Sequence, residues 1–291
     1  MVNQYNKISD EAGALFIVAT PIGNLADISH RAVQILTKVS VVLAEDTRHS
    51  KRLFNHYGIT TKLRACHQHN EEGLIEWTKQ QLTAGQDIAL ISDAGTPLIS
   101  DPGFVLVRAL RKDGYSVLTV PGPSSIIAAL SVAGLPTDRF VFDGFLPAKR
   151  PARCTQLERY ITESRTIVLL ESSHRILACI NDMVEVFGSS RRLVIARELT
   201  KKFETVLAGT AEQLSALLQE DDQQTRGEFV LMIEGAKETQ QDQGEITALL
   251  KILMDELPLK QASALTARIT GQRKNELYQL ALTLKDSDHR D

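Results

Sequence analysis

Residues 88–103 read IALISDAGTPLISDPG, and FVLVRALRK (Phe104–Lys112) follows directly. An apolar run of strand length gives way to a loop of glycines, prolines and two aspartates, and then to an amphipathic segment. A phosphate-binding loop would occupy the same place, but it would carry Gly-Lys-Ser/Thr and free backbone N–H groups aimed at an anion. This loop carries Asp93 and Asp101 and no lysine or arginine. It suits a ligand that is neutral or cationic where it touches the chain.

The same alternation extends to either side. Leu15–Thr20, Val39–Ala44 and Ser116–Val120 are further apolar runs of strand length, separated by the amphipathic segments His30–Lys38 and Glu72–Thr83. Alternation of this kind predicts an open, mostly parallel sheet with helices on both faces. Ligands of such sheets bind beyond the carboxyl ends of the strands. Four polar loops are therefore expected to meet at one edge: TPIGN (Thr20–Asn24), AEDTR (Ala44–Arg48), SDAGTPLISDPG and PGPSS (Pro121–Ser125). None contains Gly-x-Gly-x-x-Gly, which disfavours a nicotinamide or flavin dinucleotide. Ser124 and Ser125 precede the helical run Ile126–Leu130. At least one of them is expected to cap that helix, and the other reading has a hydroxyl holding a carboxylate or amino group of a ligand.

The second half holds strand candidates Thr166–Leu170, Leu193–Ala196 and Phe229–Glu234, with helical patterns at His174–Phe187 and Thr210–Gln219. The aromatic-rich FVFDGFLPAKR from Phe140 is read as a domain boundary. The fold class expected is α/β: two α/β domains, with a small helical segment at the C-terminus. The boundaries are 1–143, 144–240 and 241–291. The polar segment Lys237–Gly244 reads as a linker. Beyond it, Leu259–Ile269, a Thr270-Gly271-Gln272 turn and Arg273–Leu284 have helix-turn-helix proportions, although two packed capping helices or a dimer contact fit equally well.

Composition narrows the class. Of 291 residues, 43% are hydrophobic and 24% charged, ordinary values for a water-soluble protein. No apolar run approaches the ~20 residues that span a bilayer. The first fourteen residues lack the apolar core of a signal peptide, so a cytoplasmic location is expected. Cys66, Cys154 and Cys179 form neither a disulfide framework nor a zinc pattern. His67 and His69 have no third ligand at useful spacing, and no metal is expected. Net charge is −3, yet Leu146 to Lys202 holds eleven Lys/Arg against six Asp/Glu, and Phe203 to Gln243 two against nine. The second half is therefore expected to be polarised.

TPIGNLADIS, AEDTR, SDAGTPLISDPG, PGPSS, GFLP, ARELTK and GEFVLMIEG, in that order from about Leu15 to Gly235, resemble the tetrapyrrole methylase superfamily of S-adenosylmethionine-dependent methyltransferases. The closer resemblance is to its ribosomal branch. The resemblance implies a cofactor cleft between the two α/β domains, a homodimer, and methylation of a cytidine 2′-oxygen in small-subunit (16S) rRNA, as free rRNA or in the 30S subunit, with no membrane involved. By the same resemblance Pro21, Gly95, Thr96, Pro97, Ile99, Ser124, Ser125, Ile126 and Glu171 are expected at the cofactor. Tetrapyrrole-modifying relatives usually carry Gly-Asp-Pro where this chain has Gly95-Thr96-Pro97. That departure weighs against a tetrapyrrole substrate and makes Thr96 the expected polar contact.

A 2′-hydroxyl needs its proton removed, so a carboxylate within reach would serve as base. Glu45, Asp46, Glu171 and Glu198 are candidates, and Asp46 and Glu198 are taken first. The alternative for each is a structural ion pair, such as Glu198 with Arg197 or Arg48. Asp101 is expected to cap a helix beginning near Pro102. Lys149, Arg150, Arg153, Arg175, Lys201 and Lys202 are expected to form a phosphate track, unless Lys149–Arg153 is merely a soluble connection. Two rival functions stand beside this one: a precorrin methyltransferase, and a ribosome-assembly factor that binds RNA without chemistry.

Overall fold

The computed structural model describes residues 12–236 and 243–287. Residues up to Glu234 make one compact unit and those from Gly235 a second. The first unit contains two five-stranded sheets.

The first sheet is wholly parallel. Its strands are β1 (Ala14–Val18), β2 (Val41–Ala44), β3 (Lys62–Ala65), β4 (Ile88–Ile91) and β5 (Ser116–Val120), in the order β3-β2-β4-β1-β5. Helices α1 (His30–Lys38) and α2 (Thr47–Tyr57) cover one face, where Leu36 and Phe54 meet Val18, Val42 and Ile91. Helices α3 (Glu71–Thr83) and α4 (Phe104–Lys112) cover the other, where Leu82, Leu106 and Leu110 meet Leu15, Leu43 and Leu90. Successive strand residues thus serve opposite faces, which is why the strands read as continuous apolar runs. Helix starts are set by local chemistry: Ser29 Oγ accepts from Ala32 N at 3.1 Å, and Asp46 accepts from Arg48 N at 2.8 Å.

The second sheet is mixed. It comprises β6 (Phe140–Phe145), β7 (Thr166–Ser172), β8 (Arg192–Arg197), β9 (Thr205–Thr210) and β10 (Glu228–Ile233), ordered β6-β7-β10-β8-β9. Only β6 and β7 run parallel. Helices α6 (Arg150–Glu158), α7 (Ile176–Phe187) and α8 (Ala211–Glu220) lie on one face through Leu157, Ile180 and Leu218. The other face is covered by α5 (Ser125–Ala133), which follows the last strand of the first sheet. Ala129, Leu130 and Ala133 of α5 pack on Val168, Val194 and Met232. At about 1.5–3 kcal/mol for each large side chain buried, this helix is a principal tie between the two sheets.

A boundary at 143/144 falls inside β6, so the aromatic run from Phe140 is an edge strand of the second sheet rather than a junction. Residues 237–242 of the linker segment lie outside the described residues, as do residues 1–11, most of the N-terminal stretch read for a signal peptide. Gln243 opens α9 (Gln243–Glu256), so the linker ends earlier than Gly244. Helices α10 (Leu259–Thr270) and α11 (Lys274–Ser287) complete the second unit around Leu250, Ala262 and Ala281. Gly271 ends α10 in the left-handed conformation. Among the described residues no helix is long and apolar enough to cross a membrane.

Candidate active site

Strands β1 and β4 are neighbours whose outgoing connections run to opposite sides of the sheet, since β2 lies beyond β4 and β5 lies beyond β1. Such a switch point opens a crevice at the strand ends. There Thr20 N donates to Gly95 O at 2.8 Å and Gly95 N to Thr20 O at 3.0 Å. Asp46 N donates to the Asp93 carboxylate at 3.1 Å, and Thr96 Oγ1 to Pro123 O at 3.1 Å. The four loops are thereby knitted into one surface. Leu98 and Ser100 hold φ of 73° and 67°, a left-handed backbone that costs a non-glycine residue roughly 1 kcal/mol or more and clusters at functional loops.

Facing these loops are the ends of β7, β8 and β10, with a cavity of about 510 Å³ between. Leu170, Ala196 and Val230 form an apolar floor from the second sheet, and Ile22 and Ile126 add to it from the first. Five carboxylates, from Glu45, Asp93, Asp101, Glu171 and Glu228, stand in the wall, which contains no lysine, arginine or histidine. To one side the loop after β1 meets the loop after β8. Asn24 N donates to Thr200 Oγ1 at 3.1 Å, and a Cβ on Gly23 would come within 2.9 Å of Leu199 O, so only glycine allows that approach.

The clustered carboxylates affect one another. Burial, then the neighbouring Asp93, raises the pKa of Glu45. Burial, opposed by a hydrogen bond from Ser92 and assisted by Glu45 and Asp93, lifts Asp101 to about 6. Glu171 is buried, and its Oε1 accepts from Ser172 N at 2.8 Å. Its Oε2 lies 3.2 Å from Arg175 Nη2, outside hydrogen-bond geometry, and so has acceptor capacity to spare.

Seven of the residues expected at a cofactor stand in this wall: Gly95, Thr96, Ile99, Ser124, Ser125, Ile126 and Glu171. Ser124 occupies the N-cap position of α5 but makes no capping bond, which leaves its hydroxyl available. Pro97 is buried and absent from the wall, and Pro21 lines a neighbouring crevice with His49 and Arg52.

The base candidates taken first are displaced. Asp46 caps α2, pairs with Arg48 at 2.9 Å, and does not line the cavity. Glu198 accepts from Lys201 Nζ at 3.0 Å and Glu228 N at 3.0 Å. A Cβ on Gly227, whose φ is +104°, would fall 2.5 Å from the Glu198 side chain, so that carboxylate is packed under a glycine turn. Asp101 does not cap a helix: α4 begins at Phe104 with Gly103 at its N-cap, and Glu71 Oε1 satisfies the amide of Leu106 at 2.8 Å. Freed of that role, Asp101 faces the cavity. Its signal in the sequence was the second aspartate of the acidic loop.

The phosphate track also changes. Arg153 is buried and bonds Asp182 at 2.6 Å; Arg150 joins Asp182 at 2.9 Å and pairs with Glu185. Arg175 donates to Leu146 O at 2.5 Å and Pro147 O at 3.2 Å, and Lys201 bridges Glu198 and Glu228. These four cations are engaged within the layer built on the second sheet. Lys149 and Lys202 are exposed, with Lys202 over the Phe203 ring at 5.4 Å. Among the described residues no three His, Cys, Asp or Glu side chains are grouped to hold a metal, and the His67 and His69 rings lie 6.1 Å apart.

Two α/β layers closing on an acidic cleft at a switch point define the class. The family model for tetrapyrrole (corrin/porphyrin) methylases matches residues 14–215, and one for the RsmI C-terminal HTH domain matches residues 240–285. Solved structures share the fold. The methyltransferase CobJ superposes with a TM-score of 0.57 at 14% identity, covering 77% of this chain and 95% of that one. Cobalt precorrin-4 methyltransferase superposes with a TM-score of 0.53 at 16% identity, covering 76% and 94%. Much nearer in sequence are proteins called ribosomal RNA small subunit methyltransferase I. The Pseudomonas aeruginosa protein is 53% identical over 93% of this chain and 97% of its own. The Escherichia coli O157:H7 protein is 48% identical over 97% and 99%. The chain belongs to the tetrapyrrole methylase family, within its branch of ribosomal RNA small subunit methyltransferases I.

Proposed function

We propose that this protein uses S-adenosylmethionine to methylate the 2′-oxygen of a cytidine in small-subunit rRNA. The observation that carries the cofactor is the cavity wall with five carboxylates and no cationic side chain. A sulfonium cation is stabilised there, while a nucleotide phosphate is repelled. The volume and apolar floor fit a ligand of this size. Gly95, Thr96, Ile99, Ser124, Ser125 and Ile126 would hold the cofactor from the first domain. Glu171, held by Ser172 and paired with Arg175, would add its charge to the wall from the second sheet. When bound, the cofactor supplies an electrophilic methyl group. The protein's task is to align the acceptor oxygen with it, and fixing that geometry beforehand supplies much of the rate.

The rRNA acceptor follows from the relatives' names and from family membership. The 30S subunit or its free rRNA is the partner, and a cytoplasmic location accords with it. We read the active form as a homodimer. Leu118 on edge strand β5, with Ile127 and Val132 on α5, are 45%, 57% and 48% exposed, and a second copy would cover them. The domain limits follow the sheets: a first domain through β5, a second from β6 to β10, and a helical third.

The test is incubation of the protein with labelled cofactor and unmethylated 30S subunits, or with free small-subunit rRNA, followed by mapping of the label. Label on a cytidine ribose supports the reading. Label on a base, or none on either RNA, overturns it.

A further inference from the structure

A second cavity, of about 770 Å³, adjoins the first and shares Glu45, Ser100 and Asp101 with it. Its remaining wall comes from the loop after β3 and from the starts of α3 and α4. That loop contributes His67, Gln68 and His69, the HQHN motif that the cofactor site leaves unused.

Three features describe its occupant. First, Glu45, Asp101, Glu71 and Glu72 line it without any lysine or arginine, so the part of a ligand seated here is uncharged or cationic and its phosphates stay outside. Second, Phe104 is 60% exposed at the first turn of α4, beside half-exposed Val105. The Arg108 guanidinium carbon lies 6.0 Å from the ring centre and leaves most of the ring to solvent. An exposed ring beside a cavity is a stacking platform, and every nucleobase has a face to offer it. Third, the cavity that Phe104 lines also holds amide, imidazole and carboxylate groups (Gln68, His69, Glu72), which can pair with the edge of a base; a carboxylate accepts from the cytosine amino group. Glu71 is already committed to the Leu106 amide.

Resting on the proposed methyl transfer, we infer that the acceptor nucleoside leaves its stack and seats in this second cavity, with its base on Phe104 and its 2′-hydroxyl at Asp101. Seating the base on Phe104 requires the nucleotide to leave its stack, which costs a few kcal/mol. Asp101 stands in the wall common to both cavities, so a hydroxyl beside it is also next to the cofactor. Its carboxylate takes the hydroxyl proton, the oxygen forms the new bond to the methyl carbon, and the carbon–sulfur bond breaks with its electron pair left on a neutral thioether. The groups around Asp101 are Glu45 after β2, Asp93 after β4, His67 and His69 after β3, and Glu71 and Glu72 on α3. Burial and the neighbouring carboxylates raise its pKa to about 6, so above that pH it stands ionised and ready to receive a proton.

The experiment measures binding before activity. Cofactor-free wild type, Phe104→Ala and Phe104→Tyr are compared for equilibrium affinity to unmethylated 30S subunits. Cofactor affinity is measured separately by calorimetry. Phe104→Ala should bind 30S subunits roughly tenfold more weakly, Phe104→Tyr should restore binding, and neither should alter cofactor affinity. Asp101→Asn should bind 30S subunits as wild type and the cofactor only a few-fold more weakly, since four wall carboxylates remain, but lower the single-turnover rate by ~10²-fold or more. Wild-type activity should fall below about pH 6, and the pH profile of the variant should lack that fall. Unchanged 30S affinity in Phe104→Ala and an unchanged rate in Asp101→Asn, alongside an active wild type, overturn the inference while the methyltransferase reading stands. A wild type that binds cofactor but methylates neither RNA overturns both.

Discussion

The Thr96 hydroxyl donates to the carbonyl of Pro123 at 3.1 Å, joining the loop after β4 to the loop after β5 beside the 510 Å³ cavity. Neither loop is held in place by regular secondary structure at this point, so this bond sets the spacing of two surfaces that must grip one ligand.

Replacing Thr96 with tryptophan fills the cavity from its rim. The side chain is partly buried and belongs to no core cluster, so the fold should survive. Cofactor binding by calorimetry should fall below detection with an unaltered circular dichroism spectrum. A folded Thr96→Trp protein with wild-type affinity would remove this cavity from consideration.

Asp46 is held low, at about 2, chiefly by its hydrogen bonds with Arg48. A carboxylate so stabilised is a poor proton acceptor, and this one caps α2 away from the cavity. Asparagine also caps helices well. Asp46→Asn should therefore methylate within about twofold of wild type, as expected for a surface change away from the chemistry. A loss of ~10²-fold would return Asp46 to the role of base.

Arg153 and Asp182 form a pair whose side chains are 6% and 5% exposed. Arg153→Ala leaves Asp182 with only the more exposed Arg150, and should destabilise the protein by about 3 kcal/mol in urea unfolding. Under conditions where the variant is folded, RNA affinity should be unchanged. Weaker RNA binding with undiminished stability would restore Arg153 to a phosphate-binding role.

Lys149 and Lys202 are the members of the expected track that remain exposed and outside the ion pairs around the second sheet. The double alanine variant should reduce the log–log salt slope of RNA binding by about 0.7–0.9 for each lysine, according to the form of the RNA. A slope equal to that of wild type would show that the backbone is gripped elsewhere.

Leu118 tests the dimer. A glutamate there lies on the exposed side of an edge strand, where a single chain tolerates it. Burial of that charge against a second copy would be unfavourable. Sedimentation should show a dimer for wild type and a monomer for Leu118→Glu, and equal sedimentation of the two rules out an interface at this position.

Much of this protein is determined by short-range pattern. Apolar runs such as Ile88–Ile91 and the amphipathic Phe104–Lys112 specify a strand and a helix by periodicity, and their alternation specifies the sheet class. Once the strands are parallel, the loops after them must gather at one end, so the position of the cavity was legible before any coordinate. Three strands escaped that reading. Lys62–Ala65 and Thr205–Thr210 are edge strands with exposed positions and little apolar signal, and Phe140–Phe145 has the glycine of a turn inside it. The tertiary structure alone decided which charges work in the cleft. Arg153 looks like any basic surface residue until Asp182, 29 positions away on another helix, meets it in the interior. Asp101 and Asp46 are both loop aspartates ahead of helices. One is occupied because Arg48 and its amide lie within reach, and the other faces the cavity because Glu71 has taken over at the start of α4. Burial and partner set the role of a carboxylate, and both are fixed by residues distant in the chain.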